Sequence, residues 1–409
     1  MNRFFPFIAI PLLVIACGNS KNTDDALLSR ALKLHAEMVT IDTHTDTPLN
    51  FLRTGFDFSG GNNTARGSRV DLKKMETGKL DAAFFAVFIG QRECTPEKYV
   101  EVNKKSLEIF DAINKVIVQY PNRAAIATMP NDVYNLKKEG KRAIYIGLEN
   151  GYPIGEDINQ LKVFYDLGAR YVTLCHTRNN QICDSSTDPN GAQHNGLSEF
   201  GKQVVTEMNK MGMMIDVSHI SDKSFYDVLA LSKVPVFASH SCARAVCDNP
   251  RNLDDDMLRA IAKNGGVVQM CILSDYVKKT PDSPERDSAY RALRKKYNNF
   301  RDLTPEQDKQ ATADWYELEE KYSVNLATVV DVVNHIDHMV KVMGIDYVGI
   351  GTDFDGGGGV EGCKDASQMY NITVELMRRG YSDSDIKKIW GENFLRVFNA
   401  AVNYSQKKV

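Results

Sequence analysis

Eight short apolar runs punctuate this chain, and the stretches between them have helical spacing. One run lies near 39–44. The others are "LDAAFFAVFI" (80–89), "AIYIGLE" (143–149), "YVTLCH" (171–176), "MIDVSH" (214–219), "VPVFASH" (234–240), "GGVVQMCIL" (265–273) and "DYVGIGTD" (346–353). Between them, "LSEFGKQVVTEMNKMG" and "DDDMLRAIAKNGG" are amphipathic and end at Gly, a common helix stop. Near-continuous apolar strands alternating with helices indicate a parallel sheet covered on both faces. Eight such units predict an α/β fold, a (β/α)8 TIM barrel. A doubly wound open sheet is the main alternative. No G-x-G-x-x-G or P-loop sequence opens any of the helices, and the glycines of "GTDFDGGGGVEG" (351–362) are read as loop flexibility near a site.

With 409 residues, the chain has room for two average domains or one barrel with insertions. Residues 31–409 are read as a single catalytic domain. The segment 274–325 is rich in charge and breaks the strand–helix rhythm, so it is expected as a helical insertion outside the barrel after its seventh strand. A solvated decoration and a lid over the active face both fit it. Near the C-terminus, Phe394, Leu395, Val397 and Phe398 have the spacing of a core-facing stripe. A formal net charge of -3 lacks the basic footprint of a nucleic-acid binder.

Residues 1–16, "MNRFFPFIAIPLLVIA", carry Arg3 and an apolar run too short to span a bilayer permanently, as in a secretory signal. "VIAC" resembles a bacterial lipobox, which implies cleavage before Cys17 and lipidation of its thiol. Residues 17–30 then read as a polar tether. The expected location is outside the cytoplasm, lipid-anchored to a membrane on its periplasmic or cell-surface side. Seven further Cys remain, an odd number, and Cys94 and Cys183 lie in loop-like sequence where they could pair.

The ends of the runs carry the chemistry. The first gives His44 and Asp46, two apart, which places both on one face of a strand. The third ends at Glu149, the fourth at His176, the fifth at His219, the sixth at His240 and the eighth at Asp353. One such residue at one strand end is an ordinary polar group at a loop mouth. Six ends of eight, on the one barrel face where active sites sit, are hard to ascribe to coincidence. The donors are imidazoles and carboxylates with no thiolate cluster, a set suited to Zn²⁺ and shared by Co²⁺ and Mn²⁺. They outnumber the three ligands one catalytic ion needs. They fit two ions about 3.5–4 Å apart with a bridging carboxylate, an arrangement that activates water and polarises a carbonyl.

At these positions the sequence resembles the membrane (renal-type) dipeptidases, peptidase family M19. The matching pieces are "DTHTDTP", "IGLENG", "VTLCHT", "NGLSEFGKQVVTEMNKMGMMIDVSHIS", "PVFASHSCARAVCDNPRNLDDDML", "HIDHMVKVMGIDYVGIGTDFDG" and "NFLRVF", in order from about residue 35 to the end. The resemblance implies a zinc-dependent dipeptidase that cleaves free dipeptides, including those with a C-terminal D-residue. It implies that His44 and Asp46 bind one zinc, that Glu149 bridges both, and that His219 and His240 complete the second site. His176 would stabilise the tetrahedral oxyanion, Arg251 would take the substrate's free carboxylate, and Asp353 would move the proton. Asp355 is an alternative to Asp353 by chemistry alone. Asp353 is preferred because it ends the strand and aligns with the family's acid. Relatives in the family form homodimers, which leaves a homodimer open here.

Two departures limit the carry-over. The insertion is longer than in mammalian members. Arg178 stands where some relatives have Cys, so the resemblance implies any disulfide is rewired, with Cys183 a candidate. His335 and His338 share a helix face and are read as packing, because that helix is expected to start at the barrel end opposite the site. His35 and His194 are read as structural. Two rival functions remain. One is a neutral-substrate metal hydrolase, acting on cyclic amides, lactones or phosphoesters. The other is a zinc-binding surface lipoprotein without activity.

Overall fold

The computed structural model describes residues 19–407, except 54, 62–67, 280, 282, 299–302 and 323–325. The leader and Cys17 lie outside these residues. Among the described residues, no helix is long and apolar enough to cross a membrane. Residues 19–30, read as a tether, are already helical within Asn19–Glu37. Leu27, Leu28, Ala31 and Leu34 recur at helical spacing and pack into the core, which explains why the helix extends back this far.

Nine strands form one parallel sheet: β1 (Ile41–Thr45), β2 (Ala82–Phe88), β3 (Ala124–Ile126), β4 (Arg142–Glu149), β5 (Ala169–Thr173), β6 (Met214–Asp216), β7 (Phe237–Ser241), β8 (Val267–Met270) and β9 (Val348–Ile350). Eight follow in the order β1-β2-β4-β5-β6-β7-β8-β9. The ring closes where Thr45 pairs with Phe354 and Asp353 N–H donates to His44 O at 3.0 Å. The fold is therefore a (β/α)8 TIM barrel. All eight apolar runs supply its strands. β3 lies off the ring and pairs only with the start of β4; its three residues are too short to show strand periodicity.

The barrel interior is layered. Ile41, Ala82, Phe84, Ala143, Tyr145, Tyr171, Met214, Phe237 and Val267 form a buried apolar floor. The helix Asn393–Gln406 plugs it from below, with Phe394 5.2 Å from Phe84 and all four residues of the predicted stripe buried. Strand alternation then puts Glu149 on the same inward face as Ala143 and Tyr145, two layers higher. The floor excludes water from below, so polar groups above it open only toward the strands' C-terminal ends.

Ahead of the barrel helix Val329–Met343, the insertion after β8 carries the helices Ser274–Val277, Pro284–Lys296 and Pro305–Lys321. The last two pack on each other through Leu293, Tyr297 and Ala311, a small core separate from the barrel's.

His35 is structural. It is fully buried, with Nε2 2.6 Å from Thr373 Oγ1 and the Trp390 ring 4.9 Å away. Burial holds its pKa down at about 3. An unfolded chain takes up this proton near pH 6.5, so between those values the unfolded state binds one more proton. His35 thus contributes nothing to pH sensitivity above about 6.5, and stability falls by up to ~1.4 kcal/mol per pH unit as the pH drops below it. His35→Gln should flatten the dependence of Tm on pH between about 6 and 4, measured by thermal denaturation beside wild type.

Candidate active site

Two strand irregularities aim the first of the predicted site residues. The β1–β2 register shifts between Asp42 and Thr45, and the β7–β8 register shifts between Ala238 and Ser241. Each sits beside a histidine, His44 or His240, that regular alternation would turn away from the barrel axis. Asp46 lies one residue past the end of β1, where its N–H still donates to Phe354 O at 2.8 Å, and its Oδ1 comes within 4.0 Å of His44 Nε2. His219 (φ 70°) and Asp353 (φ 61°) follow the ends of β6 and β9 in left-handed conformations. Such backbone is costly for residues with side chains and concentrates at functional sites.

The predicted residues converge on Glu149. His44 Nε2 is 3.3 Å from Glu149 Oε2. On the other carboxylate oxygen, Oε1, lie His219 Nε2 at 3.3 Å, His176 Nε2 at 3.7 Å and His240 Nε2 at 3.7 Å. Asp46 Oδ1 and Asp353 Oδ1 are each 4.0 Å from His44 Nε2. All but His176 are buried; His176 lies at the mouth, its ring 4.7 Å from that of Phe88. Three trios could hold a cation: His44, Glu149 and His240; Glu149, His176 and His219; His44, Asp46 and Asp353.

The donor set fits metal. His44 Nε2, Asp46 Oδ1 and Glu149 Oε2 are buried without a hydrogen-bond partner, a cost that a coordinated cation removes. The electrostatics agree. Burial opposes charge on His44, but Glu149, Asp46 and Asp353 outweigh it and lift its pKa to about 10. Burial and then neighbouring charges, Glu149 among them, push Asp46 and Asp353 well above the carboxylate range. Burial pushes His219 and His240 well below the imidazole range. Three crowded carboxylates against one cationic imidazole make a pocket that favours added positive charge. Gly356 is part of this cradle: a Cβ there would lie 2.2 Å from Asp353 Oδ1 and 2.5 Å from Asp46 Oδ2.

Arg251 is buried rather than a surface ion-pair residue. Nη2 donates to His240 O at 2.9 Å and Nη1 to Ser241 Oγ at 3.3 Å, and the guanidinium lies 5.3 Å from the Tyr276 ring. Its Nε has no partner, and among the described residues no carboxylate lies within ion-pair distance. Asp355 is occupied elsewhere: it accepts from Thr47 Oγ1 at 2.8 Å, Ser68 Oγ at 2.5 Å and Arg69 N–H at 2.6 Å. That separates it from Asp353.

Two other expectations need amendment. His335 does pack, but its neighbours belong to segments that follow β7 and β8. Nδ1 accepts from Ala243 N–H at 3.1 Å and Nε2 donates to Val277 O at 2.7 Å. The helix after a barrel strand starts on the strands' C-terminal side, so the placement at the opposite end was mistaken. His338 pairs with Asp255 at 2.6 Å, and His194 Nε2 lies 2.8 Å from Asn180 O. Cys94 and Cys183 are both free thiols, Cys94 exposed and Cys183 buried.

The family model for membrane dipeptidases, peptidase family M19, matches residues 28–409. The chain belongs to that family. This M19 dipeptidase is 30% identical over 393 residues to the dipeptidase verJ of Clonostachys rogersoniana, covering 94% of this chain and 89% of the relative. The probable dipeptidase PvdM of Pseudomonas aeruginosa superposes with a TM-score of 0.78 at 33% identity, over 93% of this chain and 99% of that one. A metallopeptidase of Rhodobacter sphaeroides, solved with a phosphinate mimic of the dipeptide L-Ala-D-Ala, shares the fold at TM-score 0.71 and 22% identity. It covers 89% of this chain and 99% of that one.

Proposed function

We propose that this M19 dipeptidase is a binuclear zinc enzyme. It hydrolyses free dipeptides, those with a C-terminal D-residue included, while tethered outside the cytoplasm by a lipid on Cys17. The observation that carries the binuclear reading is the division of Glu149. One oxygen faces His44, with Asp46 beside it, and the other faces His219 and His240. Glu149 would bridge, His44 and Asp46 would hold one ion, and His219 and His240 the other. When bound, the ions would supply an activated water and polarise the scissile carbonyl.

The remaining steps belong to the chain's own groups. Arg251, buried and without a carboxylate partner, takes the dipeptide's α-carboxylate and sets its register. His176, at the mouth, donates from Nε2 to the oxygen that gains charge in the tetrahedral state. Asp353 accepts the proton of the attacking water and returns it to the leaving amine.

The test is hydrolysis of L-Ala-L-Ala, L-Ala-D-Ala and their N-acetyl forms, before and after chelation and zinc restoration. Zinc-dependent cleavage confined to the free dipeptides is expected. No cleavage by protein with metal bound would overturn the reading and favour the neutral-substrate hydrolase. For the anchor, Cys17→Ser should move the protein from the membrane fraction to the soluble fraction of expressing cells; an unchanged distribution would refute it.

A further inference from the structure

Beneath the site, a chain of buried side chains leads from β6 to His240, and the proposed chemistry makes no use of it. Asp216 holds four donors. Its Oδ1 accepts from Ser218 N–H at 2.9 Å and Ser239 N–H at 2.8 Å. Its Oδ2 accepts from Thr173 Oγ1 at 2.5 Å and Ser239 Oγ at 2.6 Å. Ser239 Oγ also lies 2.8 Å from His240 Nδ1. A serine hydroxyl has one proton, and here that proton points at the carboxylate. Ser239 can therefore meet His240 only as an acceptor. His240 then carries its proton on Nδ1 and presents the Nε2 lone pair to the site, 2.8 Å from His219 Nε2.

We infer that Asp216 is a positioning residue that acts through Ser239, fixing the His240 proton on Nδ1 and reserving Nε2 for a metal ion. The inference rests on the metal-binding reading above. Ligating histidines usually have their second nitrogen held in this way, most often by a carboxylate or a carbonyl. Here a hydroxyl stands between carboxylate and imidazole. Asp42 provides an internal contrast. It clamps Thr352 similarly, accepting from N–H at 2.8 Å and Oγ1 at 2.5 Å. Its clamp reaches no imidazole; His44 Nδ1 is held instead by the Tyr171 hydroxyl at 2.8 Å.

Asp216→Asn is the informative substitution, because it keeps shape and reverses polarity. Oδ1 still serves the two backbone amides, so an NH₂ replaces Oδ2 and donates to Ser239 Oγ. The serine proton is then free to point at His240 Nδ1, which favours the Nε2–H form, unable to ligate. Two readouts apply: ¹⁵N-histidine NMR of metal-free protein for the tautomer, and chelator competition with zinc for affinity. In wild type, His240 is expected as the Nδ1–H form. Asp216→Asn should shift it to Nε2–H and weaken one of the two ions by about 10–100-fold, leaving the other unchanged. Ser239→Ala should weaken the same ion, and Ser239→Thr should restore it. If Asp216→Asn does not fold, Ser239→Ala and its Thr rescue decide the matter. Wild-type zinc affinity in both Asp216→Asn and Ser239→Ala, or an Nε2–H tautomer in wild type, would overturn the relay. A wild-type chain that takes up no zinc would sink the metal reading, while the tautomer, read without metal, still tests the relay.

Discussion

Asp353→Asn should lower kcat by about 10²- to 10⁴-fold, with little change in KM for a free dipeptide. The exchange is narrow. Asn tolerates the left-handed backbone that Asp353 adopts at φ 61°. The backbone bonds that seat it stay in place: its N–H donates to His44 O at 3.0 Å, and its carbonyl accepts from Gly358 N–H at 2.7 Å. What is lost is a side chain able to take a proton. A base works only when ionised, so wild-type kcat should rise with pH through the carboxylate's titration, and that acid limb should be missing in the variant. Asp355→Asn is the companion measurement. Asp355 holds Thr47, Ser68 and Arg69. Its loss should lower Tm through the 68–69 segment while the acid limb persists. Equal losses of kcat in the two variants would assign the proton transfer wrongly.

The barrel was legible because its evidence repeats. Eight apolar runs alternating with helical stretches outvote any local ambiguity, and Phe394, Leu395, Val397 and Phe398 marked the core-facing stripe of the plug beneath the floor. The site was legible for the same reason: its histidines and carboxylates all close strands. What could not be read were features that depend on one register. β1 and β7 look like plain alternating strands, and nothing in "IDTHT" or "FASHS" marks the irregularities that turn His44 and His240 inward. Arg251 sits in the polar string "DNPRNLDDD", which has the composition of a surface loop. Its burial comes from the Tyr276 ring and the C-terminal end of β7, which the local composition does not reveal. One missed residue did leave a signal. Asp216 stands inside the apolar run "MIDVSH", and Asp is depleted in strands unless something there needs a carboxylate. Gly356 was seen only as loop flexibility, whereas it makes room for two carboxylates to approach.

Arg251→Ala should cost about 2–5 kcal/mol of transition-state binding for free dipeptides, the range for removing one partner of a buried charge pair. In kcat/KM that is roughly 30-fold to a few thousand-fold. The guanidinium is held by His240 O and Ser241 Oγ, and a buried cation without a carboxylate beside it is waiting for an anion. Position alone does not separate substrate recognition from support of His240, since the side chain is placed for either. A dipeptide C-terminal amide separates them. Wild type should strongly prefer the free acid over the amide, and Arg251→Ala should abolish that preference by losing far more on the acid. If Arg251 instead served only to brace His240, both substrates would fall by the same factor and the preference would survive. Lys at 251 should recover little, because one ammonium cannot keep both bonds and still present a flat, two-pronged face to a carboxylate. The ratio of acid to amide kcat/KM across these proteins thus reads the dipeptide's carboxylate directly. It also tests the neutral-substrate alternative, for which that ratio has no reason to depend on residue 251.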